Sequence, residues 1–442
     1  MKKNKILIVS ASFAPELSSH SIRVTKIVKY LLKHNWDVTV VTAKKLSSLK
    51  YKLVFNDESL KIIKIVDPNP GYIISQFIKQ ILVKKVISPN TFSISLAQPL
   101  KLTQKNKTFV NKIKTLFWLF FSWPDRGIWW LPFGLIYVLI NNIFNRNSLI
   151  ITMGGFFSVH LVGYVIKKIF GMKWIASFDD PWECGYYISL FPIDFEIKIK
   201  KKILSSADAF VCVNNGEAKV LHSIFNKPIF IMPHGYDKDD YNEVSYYTNT
   251  KFSIVYTGVL YDFRRNPFDF FSAISELKKE GIINKNNFEV KFIGSDSYLL
   301  IDIINKFDLK DLIFLSETLP HNEVTKLQQK ATVLLLIGSG GVDRTCPLKL
   351  GEYIGAKKPI LYISPKKYGD DIPADIISKN SFGVMVKSKE EIKNILKEWV
   401  IKWQKKVNFF DFNQDNAKGF SYDVIVDRFS NFLKDIIDEN RN

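Results

Sequence analysis

The sequence predicts an α/β protein of two doubly wound domains facing a central cleft, and three observations carry that expectation. Short β-rich runs alternate with amphipathic helical patterns over most of the 442 residues, as parallel sheets with crossover helices require. The alternation lapses once, over residues 233–250, and then restarts. A chain of this length also exceeds the roughly 250–300 residues at which one core stops growing. A hydrophobic fraction of 47% with 24% charged residues excludes global disorder.

The elements follow in order. Residues 5–10, KILIVS, read as a buried strand, residues 21–34 as a helix with Ile22, Ile27, Val28 and Leu31 on its apolar face, and residues 37–42 as the next strand, which completes a βαβ unit. Further strands are expected at 61–66, 149–153, 174–178, 209–213 and 229–232, with helices at 159–170, 193–205 and 216–225. The stretch HGYDKDDYNEVSYYTNT, residues 234–250, is polar and aperiodic and reads as a linker. Beyond it strands are expected at 252–256, 289–293, 312–315, 333–337, 359–363 and 383–386. Residues 1–240 and 251–420 thus form two Rossmann-type domains whose strand-end loops face a shared cleft. A last helix at 422–437, within residues 421–442, follows the completed second set and is free to cross back to the first domain.

Several classes are excluded. Three lysines precede the first apolar run, but the run is too short for a signal peptide and Pro15 and Glu16 interrupt it. Residues 116–140, LFWLFFSWPDRGIWWLPFGLIYVLI, are split by Pro124, Asp125 and Arg126, so neither piece reaches the roughly 18–20 apolar residues of a membrane span. Cys184, Cys212 and Cys346 lie far apart with no metal-ligand or disulfide spacing, which fits a reducing cytoplasm. The net charge of +19 is concentrated: residues 1–150 carry 23 basic and 6 acidic side chains, and residues 68–124 hold eight lysines and no acid. No nucleic-acid-binding motif accompanies this charge.

The loops after the strands carry the candidate chemistry. IGSGGVDRTCPLKLGE, residues 337–352, is strand, glycine loop and helix start, where free backbone N–H groups suit a phosphate and Gly340 and Gly341 permit close approach. In TGVLYDFRRNP, Gly258 lets the chain turn, and Arg264 and Arg265 offer guanidinium forks suited to a diphosphate. MGGFFSVH places Ser158 at an expected N-cap and His160 in the first turn. FDDPW ends a strand with two carboxylates, which either take a substrate hydroxyl's hydrogen or leave Asp180 as a cap. SSHSIR opens the first helix, with His20 and Arg23 either facing the cleft or lying exposed.

Taken in order, ILIVSASFAPE, IRVTKIVKYLLKHNWDVTVVTA, SVHLVGYVIKKIFGMKWIASFDDPW, ADAFVCVN, IMPHGYD, YTGVLYDFRRNP and KLGEYIGAKKPIL resemble a glycosyltransferase of the B fold. The resemblance is to the retaining family-four group that assembles bacterial surface polysaccharides such as capsule and lipopolysaccharide. It covers essentially the whole chain. It implies a first domain that binds the acceptor, a polyprenyl-diphosphate-linked saccharide, and a second that binds a nucleotide sugar. Glu352 then matches the glutamate that holds the ribose hydroxyls, Arg264 or Arg265 the diphosphate cations, and Ser339–Gly341 the phosphate loop. Gly258 and Lys349 join the donor contacts, Gly294 and Thr318 border the base, Ser18, His20 and Arg23 serve the acceptor, and His160 and Asp180 are the catalytic candidates.

By that resemblance the activity is a retaining hexosyl transfer that needs neither a cofactor beyond the nucleotide sugar nor an obligatory metal. Two departures stand out. The group's paired glutamates, eight positions apart, are incomplete here, because Arg344 stands where a partner of Glu352 is expected, with Asp343 beside it. The usual glycine pair of the first loop is Ser18–Ser19. The missing acid motivates a second reading, a catalytically silent subunit that binds acceptor or partner enzymes. The basic, acid-free segment and the aromatic run from Phe117 to Phe133 that overlaps its end point to an anionic membrane surface, and so to a cytoplasmic protein peripheral to the inner face of the cell membrane.

Overall fold

The computed structural model describes residues 4–44, 51–68, 124–145, 148–183, 192–241, 249–261, 264–294, 297–339, 344–365 and 371–438. All thirteen expected strands are present. The first sheet contains β1 (Lys5–Ser10), β2 (Asp37–Lys44), β3 (Lys61–Val66), β4 (Leu149–Met153), β5 (Lys173–Ser177), β6 (Ala209–Cys212) and β7 (Ile229–Ile231). The second contains β8 (Phe252–Thr257), β9 (Phe288–Ile293), β10 (Ile313–Ser316), β11 (Val333–Ile337), β12 (Ile360–Ile363) and β13 (Gly383–Val386). Both are parallel, in the orders β3-β2-β1-β4-β5-β6-β7 and β10-β9-β8-β11-β12-β13. Central strands such as β4 and β11 are buried along their whole length, which is why they read as unbroken apolar runs.

In each sheet the chain order reverses beside the first strand. β1 pairs with β2 on one side and β4 on the other, and β8 pairs with β9 and β11. Successive loops therefore diverge at those points and open a crevice at the carboxyl ends of the strands.

The helices are α1 (Ser19–Lys33), α2 (Leu131–Asn145), α3 (Phe157–Phe170), α4 (Ile193–Leu204) and α5 (Asn215–Phe225) around the first sheet. Those that follow are α6 (Phe268–Lys279), α7 (Ser297–Lys306), α8 (His321–Lys330), α9 (Leu348–Ala356), α10 (Ile372–Lys379), α11 (Lys389–Gln404), α12 (Gln414–Lys418) and α13 (Tyr422–Asp438). α13 packs in the first domain's core, where Ile425, Phe429 and Leu433 meet Val24, Ile27 and Leu31 of α1. Trp36 Nε1 fastens it by donating to Ser430 Oγ at 2.8 Å.

Two helix starts differ from the sequence reading. α1 begins two residues early because the Ser18 hydroxyl accepts the Ser21 N–H, so the cap and not the first apolar residue sets the boundary. Ser158 does not cap α3. It lies inside the helix, and its N–H and Oγ donate to Asp125 at 2.8 and 2.7 Å. The cap comes from a carboxylate 33 residues earlier, which also accepts the Gly127 N–H at 2.9 Å. Asp125, the acid that interrupts the long apolar run, is thus a buried structural group. Burial raises its pKa against the lowering effect of the hydrogen bonds from Ser158 and Gly127. No helix among the described residues is long and apolar enough to cross a membrane.

Candidate active site

On the first domain, the ends of β1 and β5 and the first turn of α1 converge. His20 pairs through Nδ1 with Asp179, while its Nε2 lies 2.9 Å from Ser10 Oγ. Arg23 is fully buried, with Nε 2.9 Å from the other Asp179 oxygen. Its Nη2 donates to Met232 O at 2.9 Å, and its Nη1 lies 3.1 Å from His234 Nδ1. Burial would raise the Asp179 pKa, but His20 and Arg23 outweigh it and hold the carboxyl well below the usual range. Arg23 therefore faces this cluster and not solvent. Of the two carboxylates in FDDPW, Asp179 sits in the network, with Asp180 half-buried beside it.

His160 is 1% exposed. Its Nδ1 lies 2.8 Å from Thr152 Oγ1, and its ring centroid is 4.7 Å from that of Phe178. Burial pushes its pKa down to about 3, so the imidazole is neutral near pH 7. A Cβ on Gly154 would stand 3.6 Å from Nε2, so the strand-end glycine lies beside that nitrogen. Ser18 is occupied as the cap of α1.

The donor-side candidates gather at β8 and β11. Gly258 has φ of +108°, and a Cβ there would meet Lys349 Nζ at 2.9 Å. Lys349 projects from the first turn of α9 to place Nζ 4.0 Å from the Tyr256 ring centroid. This ammonium is shielded from solvent and has no hydrogen-bond partner among the described residues. Burial first, then the charge of Arg265, push its pKa well below the usual lysine value, with Glu352 opposing them. Arg265 is braced by donation from Nη1 to Val259 O at 2.9 Å and lies over Tyr261, whereas Arg264 is exposed.

Glu352, one turn further along α9, has Oε1 3.3 Å from His321 Nε2 and accepts from Gln328 Nε2 at 3.3 Å through Oε2. Burial would raise its pKa; His321, Gln328 and Lys349 reverse that and lower it. A Cβ on Gly294, φ +73°, would stand 3.7 Å from Thr318, so those two residues adjoin. Gly340 and Gly341 lie outside the described residues.

Arg344 turns toward the other domain. Its Nη1 is 3.0 Å from Glu217 Oε2, its Nη2 pairs with Glu183, and its carbonyl accepts from Asn214 Nδ2 at 2.7 Å. The residue in the place of an expected acid is thus a clasp between the β11–α9 loop and the first domain. Sequence reasoning did not single out Asp179, His234, His321, Gln328 or Glu217. Only His234, in IMPHGYD, and Asp179, in FDDPW, lay inside motifs it used. Among the described residues no group of His, Cys, Asp and Glu could hold a metal ion.

No family model and no curated protein matches the chain. Solved structures do match it along its length. Sucrose-phosphate synthase from Thermosynechococcus elongatus aligns over 98% of this chain and 99% of its own, at 12% identity and a TM-score of 0.65. HepE of Anabaena, in complex with UDP, aligns over 98% and 100% at 11% identity and a TM-score of 0.59. WaaG, a glycosyltransferase involved in lipopolysaccharide biosynthesis, aligns over 96% and 99% at 10% identity and a TM-score of 0.56. The two sheets, their order and these matches define the glycosyltransferase B fold.

Proposed function

We propose that this protein is a glycosyltransferase that moves a hexose from a nucleotide-sugar donor to a lipid-linked saccharide acceptor, with retention, in cell-surface polysaccharide synthesis. The observation that carries the reading is the pair Lys349 and Arg265, neither of which has an ion pair among the described residues. Two cations, one of them shielded from water, converge beside a bare Gly258 at the start of α9. A buried like-charge pair is stabilised by an anion between its members, and a helix N-terminus adds to the attraction. A nucleoside diphosphate supplies that anion, with Glu352 one turn away to accept from its sugar hydroxyls. The UDP bound by HepE and the involvement of WaaG in lipopolysaccharide biosynthesis support this choice.

In the transfer, the bond from the sugar's anomeric carbon to the diphosphate oxygen breaks and the acceptor oxygen bonds to that carbon on the same face. The acceptor's proton leaves with the departing diphosphate. Lys349, Arg265 and the N–H groups of α9 stabilise the charge that develops there, a role that requires no metal. Neutral His160 and the His20–Asp179 pair, which lie on the first domain, are assigned to the acceptor in this reading.

Membrane association at the inner leaflet is part of the proposal. α2, α3 and α4 lie side by side on one face of the first sheet. They expose Phe133, Ile136 and Ile140, Ile169 and Phe170, and Ile193 and Phe195. Lys168, Lys198, Lys201 and Lys202 are exposed among them against the single exposed acid Asp194.

Calorimetry with UDP-, GDP- and dTDP-sugars tests the donor site, and turnover with a polyprenyl-diphosphate saccharide, with and without EDTA, tests the reaction. One nucleotide should bind wild type, Glu352→Gln should bind it at least tenfold more weakly, and EDTA should leave turnover intact. Absence of binding by all three donors sinks the reading. The Arg344–Glu217 clasp, standing where the sequence resemblance leads one to expect an acid, favours one rival, a silent subunit. Such a subunit would neither transfer the sugar nor slowly hydrolyse the donor.

A further inference from the structure

His321, the first residue of α8, stands between two carboxylates from distant parts of the chain. Its Nε2 is 3.3 Å from Glu352 Oε1, and its Nδ1 is 3.9 Å from Asp240 Oδ2. Asp240 belongs to the turn that joins the two domains, and its other oxygen accepts from Lys26 Nζ of α1 at 2.7 Å. The second Glu352 oxygen is held by Gln328, which also donates to Thr257 Oγ1 at 3.2 Å. Tyr241, next to Asp240, donates its hydroxyl to the Glu352 carbonyl at 2.9 Å.

Among the described residues each carboxylate oxygen of Glu352 thus has one hydrogen-bond partner and keeps capacity for another. The plane of the carboxylate is fixed before any ligand arrives, and a fixed acceptor loses less entropy on binding.

We propose that His321 is a positioning residue of the donor site: bridging Glu352 to Asp240, it orients the carboxylate for the ligand's hydroxyls and ties it to the interdomain turn. The inference rests on the donor-site reading above. It gives the turn a function, because residues 237–241 are fastened on one side by Lys26, Lys29 and Tyr30 of α1 and on the other reach Glu352 through His321 and Tyr241. The groups that face the imidazole are Glu352 from α9, Asp240 from the turn and Lys26 from α1. Burial works against the charged ring, but Glu352 and Asp240 outweigh both burial and Lys26 and raise its pKa. The bridge is therefore charged at low pH and loses its charge as pH rises through that raised value, so the ligand should bind more weakly on the alkaline side.

The test has two arms. The first follows the His321 imidazole by NMR without ligand, in wild type and Glu352→Gln. Its pKa should fall in the variant, and an unchanged value overturns the pairing. In the second, whichever of UDP, GDP and dTDP binds wild type most tightly is titrated from pH 6 to 9 into wild type, His321→Ala and His321→Gln. Ala should bind about tenfold more weakly at pH 6, the size of one lost charge-assisted hydrogen bond. Gln, which can still donate, should recover most of that loss without the His321 inflection. Wild-type affinity in His321→Ala, with Glu352→Gln impaired, overturns this inference and leaves the donor site standing. Failure of all three nucleotides to bind wild type overturns both.

Discussion

Lys349 and Asp179 show what a residue's neighbours decide that its own letter does not. An ammonium with no hydrogen-bond partner among the described residues, shielded from water and beside a second cation, costs stability in the free protein, and Lys349 accepts that cost at the start of α9. Lys349→Ala should therefore bind nucleotide at least tenfold more weakly while melting no lower than wild type, a split readable by calorimetry and thermal denaturation. Equal binding would remove Lys349 from the site. The pH dependence has a definite sign. A bound diphosphate favours the charged amine, so binding takes up protons above the free protein's lowered lysine pKa, and affinity falls with rising pH until the raised pKa of the complex is passed. The loop that leads to Lys349 was legible because glycine, proline and strand end marked it, but the choice between Arg264 and Arg265, or Asp179 and Asp180, was not. Neighbouring side chains leave a strand end in different directions, and only folding shows which meets Arg23.

At the scale of elements, the central strands were legible because parallel strands buried on both faces leave continuous apolar runs. Caps and fastenings that act across sequence were not. The capping of α3 by Asp125 and the hold of α1 on the interdomain turn join residues 33 and more than 200 positions apart. Residues 237–241, aperiodic in sequence, are anchored by Asp237, whose buried carboxylate accepts from Lys26, Lys29 and Tyr30 at 2.7, 2.6 and 2.8 Å. α9 lies directly on this region: a Cβ on Gly351 would meet the carbonyl oxygens of Gly235 and His234 at 2.6 Å. Since both obstacles are backbone, Gly351→Ala should push α9 away from the turn and lower stability by about 1–3 kcal/mol, despite alanine's better helix propensity. Denaturant unfolding measures the first effect and nucleotide affinity the displacement of Glu352. A variant as stable as wild type would show that α9 does not rely on this contact.

The charge asymmetry belongs to the whole molecule. Residues 1–150 carry 23 basic and 6 acidic side chains, while residues 251–442 carry 29 and 26, so the excess lies on the first domain although the diphosphate is proposed for the second. That separation argues against the donor as the reason for the charge. It fits a second anionic partner met by the first domain, and the α2–α4 face offers apolar side chains where a bilayer would receive them. Lysines near an anionic leaflet contribute about 1 kcal/mol each, and the attraction fades as the screening length shrinks from about 10 Å at 0.1 M salt to about 3 Å at 1 M. The protein should therefore sediment with vesicles containing phosphatidylserine at low salt, weakly at 1 M salt, and not with pure phosphatidylcholine. Phe133 and Ile136 are more than half exposed, at 53% and 56%, so aspartate at either position should leave the fold intact. In the bilayer it would place a charge among acyl chains, and Ile136→Asp should reduce binding at both salt concentrations. Binding that survives Phe133→Asp and Ile136→Asp unchanged would move the membrane contact away from α2. No sedimentation with anionic vesicles at low salt would leave the excess charge without a membrane role.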